Sequence, residues 1–338
     1  MRTEVIEIDA VHPNRDALAR AGRILRGGGL VAFPTETVYG LGADALSRAA
    51  VAGIFAAKGR PATNPIIVHV ATTAEAIGLV ASWPEPAEQL AHRFWPGPVS
   101  LVLPKRPEVP DLVTAGGTAV AVRCPAHAVA LGLIEAAGGP VAAPSANRST
   151  ELSPTHAEHV LRGLDGRIDL LLDAGPTTGG LESSVIDLTV SPPRLLRPGL
   201  LSPHEIEAVI GPIAVGAQPA DAPPEPARSP GLLERHYAPA TPLECGVSTW
   251  SRVYELCRAG RRVGWLSLTP PLENLPGLFT IEMPDDAKQY SANLYAALHT
   301  LDAMRLDRIV VERPPDDEDW LAVHDRLRRA ATRGEGIG

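Results

Sequence analysis

The stretch LVAFPTETVYGLGADA (30–45) bears on both the fold and the first candidate site. Leu30 to Phe33 is a short apolar run that follows Gly27, Gly28 and Gly29, the pattern of a buried strand entered from the end of a helix. Upstream, residues 14–26 place Ala17, Leu18, Ala21, Ile24 and Leu25 on one helical stripe. Downstream, PTETVYGLG reads as a loop that packs hydroxyls, a carboxylate and a tyrosine together, with Gly40 and Gly42 permitting close backbone approach. Thr35 and Thr37 can donate to a carboxylate or a phosphate. Helix, buried strand and polar loop in succession predict an α/β fold.

The alternation continues in both directions. Ser47 is placed to cap a second helix with Val51, Ile54 and Phe55 on its inner face. Strands are predicted at 65–70, 99–104, 119–123, 141–144, 168–173 and 184–189, with helical stretches within 73–94 and over 127–137. Ser153-Pro154 reads as a cap followed by proline at the first helical position, and Ser202 with Glu205 as a capping box. These elements make residues 1–211 one α/β domain. Residues 212–242 then collect Pro212, Pro219, Pro223, Pro224, Pro226, Pro230, Pro239 and Pro242, which excludes a regular helix or central strand and predicts a semi-extended linker. Its second half, RSPGLLERHYAP, carries Arg228, Arg235, His236 and Tyr237, costly chemistry for a tether. Beyond it, strands at 261–268, 278–283 and 308–313 and helices over 286–305 and 319–333 predict a smaller, Rossmann-like α/β domain over 243–338.

Composition narrows the function. A chain of 338 residues suits two domains, and 45% hydrophobic with 21% charged residues is ordinary for a soluble globular protein. The net charge of -8 argues against wrapping nucleic acid as the main role, while leaving room for a local cationic pocket. Cys124, Cys245 and Cys257 are odd in number and lack Cys-x-x-Cys spacing, which suits a reducing compartment without structural zinc or disulfides. With no apolar signal core and no apolar run of about 18 residues, the expectation is a cytoplasmic protein without membrane contact. G-x-x-x-x-G-K-[ST], G-x-G-x-x-G, H-E-x-x-H and G-x-S-x-G are all absent, so any phosphate site must be built another way.

The remaining polar motifs fall at element ends. KGRPATNP (58–65) closes the second helix with Lys58 and Arg60, stiffened by Pro61 and Pro65, and Asn64 adds a donor and an acceptor. The helix dipole alone would favour cations there, but a rigid cationic loop also suits a polyphosphate. His69 lies in the strand PIIVHV, where a histidine is more often a satisfied core residue than a ligand. Arg123 ends the strand AVAVR, the end at which open α/β sheets bind ligands. APSAN (143–147) offers Ser145 and Asn147, LESSVIDL (181–188) offers Ser183 and Ser184, and LLRPG (195–199) offers Arg197.

PTETVYGLG, KGRPxxNPIIVHV, FWPGPVSLVL, VAVRCP, APSAN, SSVIDL and LLRPG, in this order, resemble the Sua5/YrdC/YwlC family of threonylcarbamoyl-AMP synthases. SPGLLERHYAPATPL (229–243) and the region after it resemble the long, Sua5 form. The resemblance implies a YrdC-like domain, a twisted open α/β sheet with a concave cationic cavity, followed by a linker and a C-terminal domain. It implies an enzyme, a nucleotidyltransferase that condenses L-threonine, bicarbonate and ATP, with magnesium and no organic cofactor, into threonylcarbamoyl-AMP and pyrophosphate. A separate threonylcarbamoyl-transferase machinery would then modify the adenosine next to the anticodon of ANN-decoding tRNAs, so tRNA would be an indirect partner. Threonine would be held by Thr37, His69, Arg123, Ser183 and the Ala143 backbone. ATP would be held by Arg60, Asn64, Ser145, Asn147, Ser153 and Arg197, with Lys58 in the same cationic loop and Tyr237 closing over the nucleotide. Lys58, Arg60 and Arg123 are the candidate catalytic residues, and no protein side chain is assigned to a metal.

The carbamate formed on threonine would attack the α-phosphorus with pyrophosphate leaving, and such chemistry needs positioning and cations rather than a covalent nucleophile. The stretch 229–239 is accordingly expected to fold back as a lid that keeps water from a labile adenylate. Two rival readings remain at this level. A cationic cavity could bind double-stranded RNA during tRNA or ribosome assembly, against which the acidic balance speaks. Carbamoyl transfer through a carbamoyl-adenylate, as in hydrogenase maturation proteins, would go with zinc-finger-like and acylphosphatase-like segments, which this chain lacks.

Overall fold

The computed structural model describes residues 2–216 and 237–331. The chain divides into two compact units, Met1–Ser149 with Pro154–Leu232, and Thr150–Ser153 with Leu233–Gly338. The strands are β1 (Glu4–Glu7), β2 (Val31–Phe33), β3 (Gly40–Asp44), β4 (Ile67–His69), β5 (Val99–Pro104), β6 (Ala119–Arg123), β7 (Val141–Ala142), β8 (Leu170–Asp173), β9 (Ser184–Asp187), β10 (Arg194–Arg197), β11 (Ala214–Val215), β12 (Leu243–Gly246), β13 (Val263–Ser267), β14 (Leu278–Glu282) and β15 (Arg308–Glu312). The helices are α1 (Arg15–Arg26), α2 (Arg48–Lys58), α3 (Thr73–Leu79), α4 (Glu85–Phe94), α5 (Ala128–Ala137), α6 (Ala157–Leu164), α7 (Pro203–Ile210), α8 (Trp250–Arg258), α9 (Ala287–Ala303) and α10 (Leu321–Ala330).

In the first unit a mixed sheet runs β1-β8-β2-β3-β7-β4-β6-β5-β9-β10-β11. Alternation along each strand gives the sheet two faces. On one, Val68, Leu101, Val122, Ile186 and Leu195 join Val51 and Ile54 of α2, Leu90 of α4 and Ile206 of α7 in the largest core. On the other, α1 and α5 cover only part of the sheet, burying Val31, Phe33, Val141, Leu170 and Leu172 under Leu18, Ala21, Leu25, Val129 and Leu133. The rest of that face carries a small cluster made of strand residues alone, Ile67, Val102, Ala121, Val185 and Leu196. Caps start the helices where the sequence indicates. Ser47 accepts from the Ala50 N–H, and Ser202 forms a complete capping box with Glu205.

The second unit holds a four-stranded sheet, β12-β15-β13-β14, parallel throughout. Its centre, Val263, Trp265 and Val310, packs against Val253 and Cys257 of α8. The buried carboxylates Glu244 and Asp325 of this unit are paired within it: Glu244 takes a bidentate contact from Arg252 at 3.0 Å and a second from Arg308 at 3.2 Å. Asp325 faces Arg326, Arg328 and Arg329. No helix among the described residues is long and apolar enough to cross a membrane.

The α/β reading is borne out, and two local expectations are corrected. Residues 40–44 of the supposed loop form β3, because Gly40 and Leu41 pair with Phe33 and Ala32 of β2. A Cβ at Gly42 would stand 2.9 Å from both Phe33 and Val141, so close packing within the sheet is reason enough for that glycine. The helix expected from Ser153-Pro154 begins only at Ala157, with His156 at the N-cap. Residues 150–153 instead run alongside Ala238, whose N–H donates to the Thr150 carbonyl at 3.0 Å. LLRPG (195–199), placed at an element end, begins inside β10, and Ala214–Val215 pairs beside it as the edge strand β11, a place where neighbouring prolines do no harm.

Candidate active site

His69 and Arg123 are partners in the parallel pairing of β4 with β6, so their side chains leave the sheet on the same face. Two residues earlier on each strand are Ile67 and Ala121, members of the small strand-only cluster. The two polar groups therefore stand beside an apolar floor, the composition of a small-molecule site. Burial and the neighbouring Arg123 charge hold the His69 imidazole down at a pKa of about 3, so it is neutral at physiological pH. Its ring meets Phe33 edge-on, and Nδ1 is buried without a hydrogen-bond partner.

Arg123 is fixed from several sides. Nε donates to the Gly97 carbonyl at 3.2 Å and Nη1 to Thr37 Oγ1 at 3.1 Å. Thr37 Oγ1 lies 2.7 Å from Thr35 Oγ1, which donates in turn to the Val38 carbonyl. The PTET loop is thus built around its hydroxyls, and it presents Thr37 to the guanidinium. Nη2 of Arg123 lies 2.7 Å from Glu36 Oε1 as a buried ion pair, out of hydrogen-bond alignment.

Ser183 joins the same face from the residue just before β9. Its Oγ is 2.9 Å from Ser100 Oγ on β5, and Arg197 donates to it at 3.1 Å while also bonding the Ser183 carbonyl at 3.0 Å. A register shift between Leu195 and Arg197 explains how Arg197 gets there. Leu195 belongs to the helix-covered core and Leu196 to the strand-only cluster. Strict alternation would send Arg197 back under the helices. The bulge turns it to the open face instead.

A second cluster forms around the end of α2. Gly59 takes the left-handed C-cap conformation, and Arg60 follows it with Nε on the Asn64 carbonyl at 3.1 Å and Nη2 on the Pro65 carbonyl at 2.7 Å. Asn64 is buried with Nδ2 lacking a partner. Lys58 is fully buried, and its ammonium donates to the carbonyls of Ser145 (2.6 Å) and Asn147 and to Asn147 Oδ1 (3.3 Å). The lysine ties the APSAN loop to the helix. Ser145 is half-buried opposite Gly40, and the Ala143 N–H bonds the Ile67 carbonyl at 3.0 Å.

The structure thus brings together Thr37, Arg123, Ser183 and Arg197 on one face, with His69 beside Arg123. It groups Lys58, Arg60, Asn64, Ser145 and Asn147 around the end of α2. Ser153 and Tyr237 belong to the second unit. There His299 bonds the Ser153 carbonyl at 3.1 Å, and the Tyr237 ring lies against Tyr295 and under the Arg326 guanidinium. Residues 229–236 of the expected lid lie outside the described residues.

Sequence reasoning passed over Glu36, Ser100 and the segment 177–180. That segment clamps the PTET backbone: Gly179 N–H donates to the Glu36 carbonyl at 2.7 Å and Gly180 N–H to the Thr37 carbonyl at 3.0 Å. A Cβ on Gly179 would stand 2.8 Å from the Glu36 oxygen, which is why glycine is needed there. The PTTGG run (176–180) was the available signal. A shallow groove of about 430 Å³ lined by Glu7, Asp9 and Asp173 holds none of the candidate residues, and its charge has the wrong sign for a triphosphate.

Two family models match the chain, one described as telomere recombination over residues 23–199 and one as threonylcarbamoyl-AMP synthase, C-terminal domain, over 201–332. A threonylcarbamoyl-AMP synthase of Bacillus subtilis is 43% identical over 96% of this chain and 95% of its own length. One from Pyrococcus abyssi is also 43% identical, over 92% and 93%. Among solved structures, P. abyssi Sua5 complexed with L-threonine superposes with a TM-score of 0.90 at 42% identity, covering 97% of this chain and 98% of that one.

Proposed function

The chain belongs to the Sua5 family of threonylcarbamoyl-AMP synthases, and from that premise we propose how its residues divide the work. The protein is an ATP-using enzyme, L-threonylcarbamoyladenylate synthase, which transfers an adenylyl group to carboxylated L-threonine. The observation that carries the amino-acid half of the reading is the fixed Arg123 guanidinium, joined to Thr37 over an apolar floor. A planar cation held by its neighbours is suited to a substrate carboxylate.

We assign threonine to Thr37, His69, Arg123, Ser183 and the Ala143 carbonyl, since the Ala143 N–H is already engaged. Neutral His69 can exchange a hydrogen bond with the substrate without adding charge. ATP is assigned to Arg60, Asn64, Ser145, Asn147, Ser153, Arg197 and Tyr237, with Lys58 holding the loop that presents Ser145 and Asn147. The orphaned Asn64 Nδ2 is a donor that a phosphate or base acceptor would satisfy. Among the described residues no group of His, Cys, Asp or Glu could cage a metal ion, and magnesium would ride on the phosphate oxygens of ATP. Desolvation in the pocket favours the neutral form of the substrate amine, which captures bicarbonate or its dehydrated form. The carbamate oxygen then attacks the α-phosphorus as pyrophosphate leaves, with Arg60 and Arg197 meeting the developing charge.

The same proposal places catalysis in 1–211, with 212–242 as linker and lid and 243–338 as its anchor. It also places the enzyme in the cytoplasm, supplying the adenylate to a transferase machinery that modifies tRNA. Labelled bicarbonate should enter an ATP-dependent adduct only when threonine is present. Labelling without threonine, or none with all three substrates, would sink this reading.

A further inference from the structure

Glu36 takes no part in the chemistry just described, yet its surroundings are unusual for a carboxylate. Both side-chain oxygens are shielded from solvent, and neither receives an aligned hydrogen bond. Its charged neighbour is Arg123, whose Nη2 lies 2.7 Å away and itself donates no aligned hydrogen bond. Buried carboxylates and guanidiniums are normally satisfied, and a buried ion pair is stable only when further hydrogen bonds fill the remaining sites.

Neither partner is free to improve the contact. Arg123 is held by the Gly97 carbonyl and by Thr37 Oγ1. The Glu36 backbone is held by Gly179 N–H at 2.7 Å and by Thr178 Oγ1 at 3.3 Å, and the flanking Thr35 and Thr37 are tied to each other. A carboxylate and a guanidinium are thus locked side by side, each with unfilled hydrogen-bonding capacity. That pair complements an α-amino acid, whose carboxylate can take the Nη2 donor and whose amine N–H groups can take the Glu36 oxygens.

We propose that Glu36 is the amine acceptor of the amino-acid site, the residue that makes the site select an amino acid over the corresponding hydroxy acid. This rests on the reading that Arg123 receives the threonine carboxylate. Two buried acceptor oxygens penalise the hydroxy acid, whose single O–H can fill only one of them, whereas an amine offers two or more N–H groups. His69 Nδ1, also buried and unpartnered, is the rival acceptor on the same face.

The test uses the full-length protein and calorimetry with L-threonine and with 2,3-dihydroxybutyrate, in which a hydroxyl replaces the amine. The wild type should bind threonine at least about tenfold more tightly than the hydroxy acid. Glu36→Gln, nearly isosteric, should weaken threonine by about tenfold or more, leave the hydroxy acid nearly unchanged and leave ATP affinity intact. The proposal is overturned if Glu36→Gln keeps the full preference for threonine, or if both acids weaken equally. Wild-type protein that binds the two acids alike overturns it whether or not the variant folds. Wild-type protein that binds neither acid would remove the threonine reading itself, a failure distinct from the others.

Discussion

At the scale of single residues, the site depends on charges held out of water. Removing one member of a buried ion pair strands the other, at a cost of about 3–5 kcal/mol. Arg123→Ala should therefore destabilise the first unit by roughly that amount by leaving Glu36 unpaired, besides abolishing threonine binding. Adding Glu36→Gln to Arg123→Ala should restore much of the stability but not the binding. Urea unfolding of the two single mutants and the double mutant measures the coupling, and strict additivity would show that the pair does not interact. His69 gives a pH signature. Its folded pKa of about 3 lies below the ordinary value, so the unfolded chain binds the extra proton between those two values. The contribution of neutral His69 is complete above about pH 6.5 and is lost as pH falls toward 3, by up to about 1.4 kcal/mol per unit. Thermal unfolding at pH 7 and pH 5 should show a larger drop for wild type than for His69→Gln, and equal drops would contradict the depressed pKa. Arg60→Ala should weaken ATP by about tenfold or more, with threonine affinity nearly unchanged, as read by calorimetry.

The elements of the first unit work as holders of loops. Helix α2 ends in a buried lysine whose ammonium is occupied by the APSAN loop. Lys58→Ala leaves those acceptors without their donor, which costs at least about 2 kcal/mol. Melting temperature and ATP affinity should fall together. If ATP affinity falls with stability unchanged, Lys58 acts on the nucleotide and not through the loop. The segment 177–180 holds PTET in the same manner. Gly179→Ala would push on the Glu36 carbonyl and on Leu200, shifting Thr37 and with it Arg123. The KM for threonine should rise while ATP affinity stays near wild type, and an unchanged KM would remove the clamp from the argument.

For the molecule as a whole, the large sheet is complete within residues 4–215, from β1 at one edge to β11 at the other. Among the described residues, its buried cores and the hydrophobics packed against them draw on none beyond 213. A fragment of residues 1–216 should thus fold and unfold cooperatively by itself, measured by circular dichroism, and a fragment without a transition would show that the sheet needs the rest of the chain. The net charge of -8 is a global property with its own consequence. Duplex RNA should bind only weakly at physiological salt, and tight salt-sensitive binding would revive the RNA-binding alternative.

Several features of this protein were legible from the sequence. Strands such as 99–104 and 119–123 declared themselves as short apolar runs, and Ser202 with Glu205 announced a capping box, because these signals are local. The motif order carried the family for the same reason: each motif is contiguous and marks the end of an element. What the sequence could not give depends on partners distant in the chain. Residues 40–44 look like a loop until β2 and β7 flank them, and 194–197 become a strand only beside β9. Arg197 reaches Ser183 only through a bulge, which is a matter of register between two strands. Lys58 reads as a cation for phosphates, but the fold surrounds it with carbonyls from residues 145–147. Glu36 is one more loop carboxylate until Arg123, 87 positions on, is set against it with both groups shut away from water. Pairing across such separations is decided by the packing of the sheet as a whole, and it was the tertiary structure that turned a row of polar loops into a site.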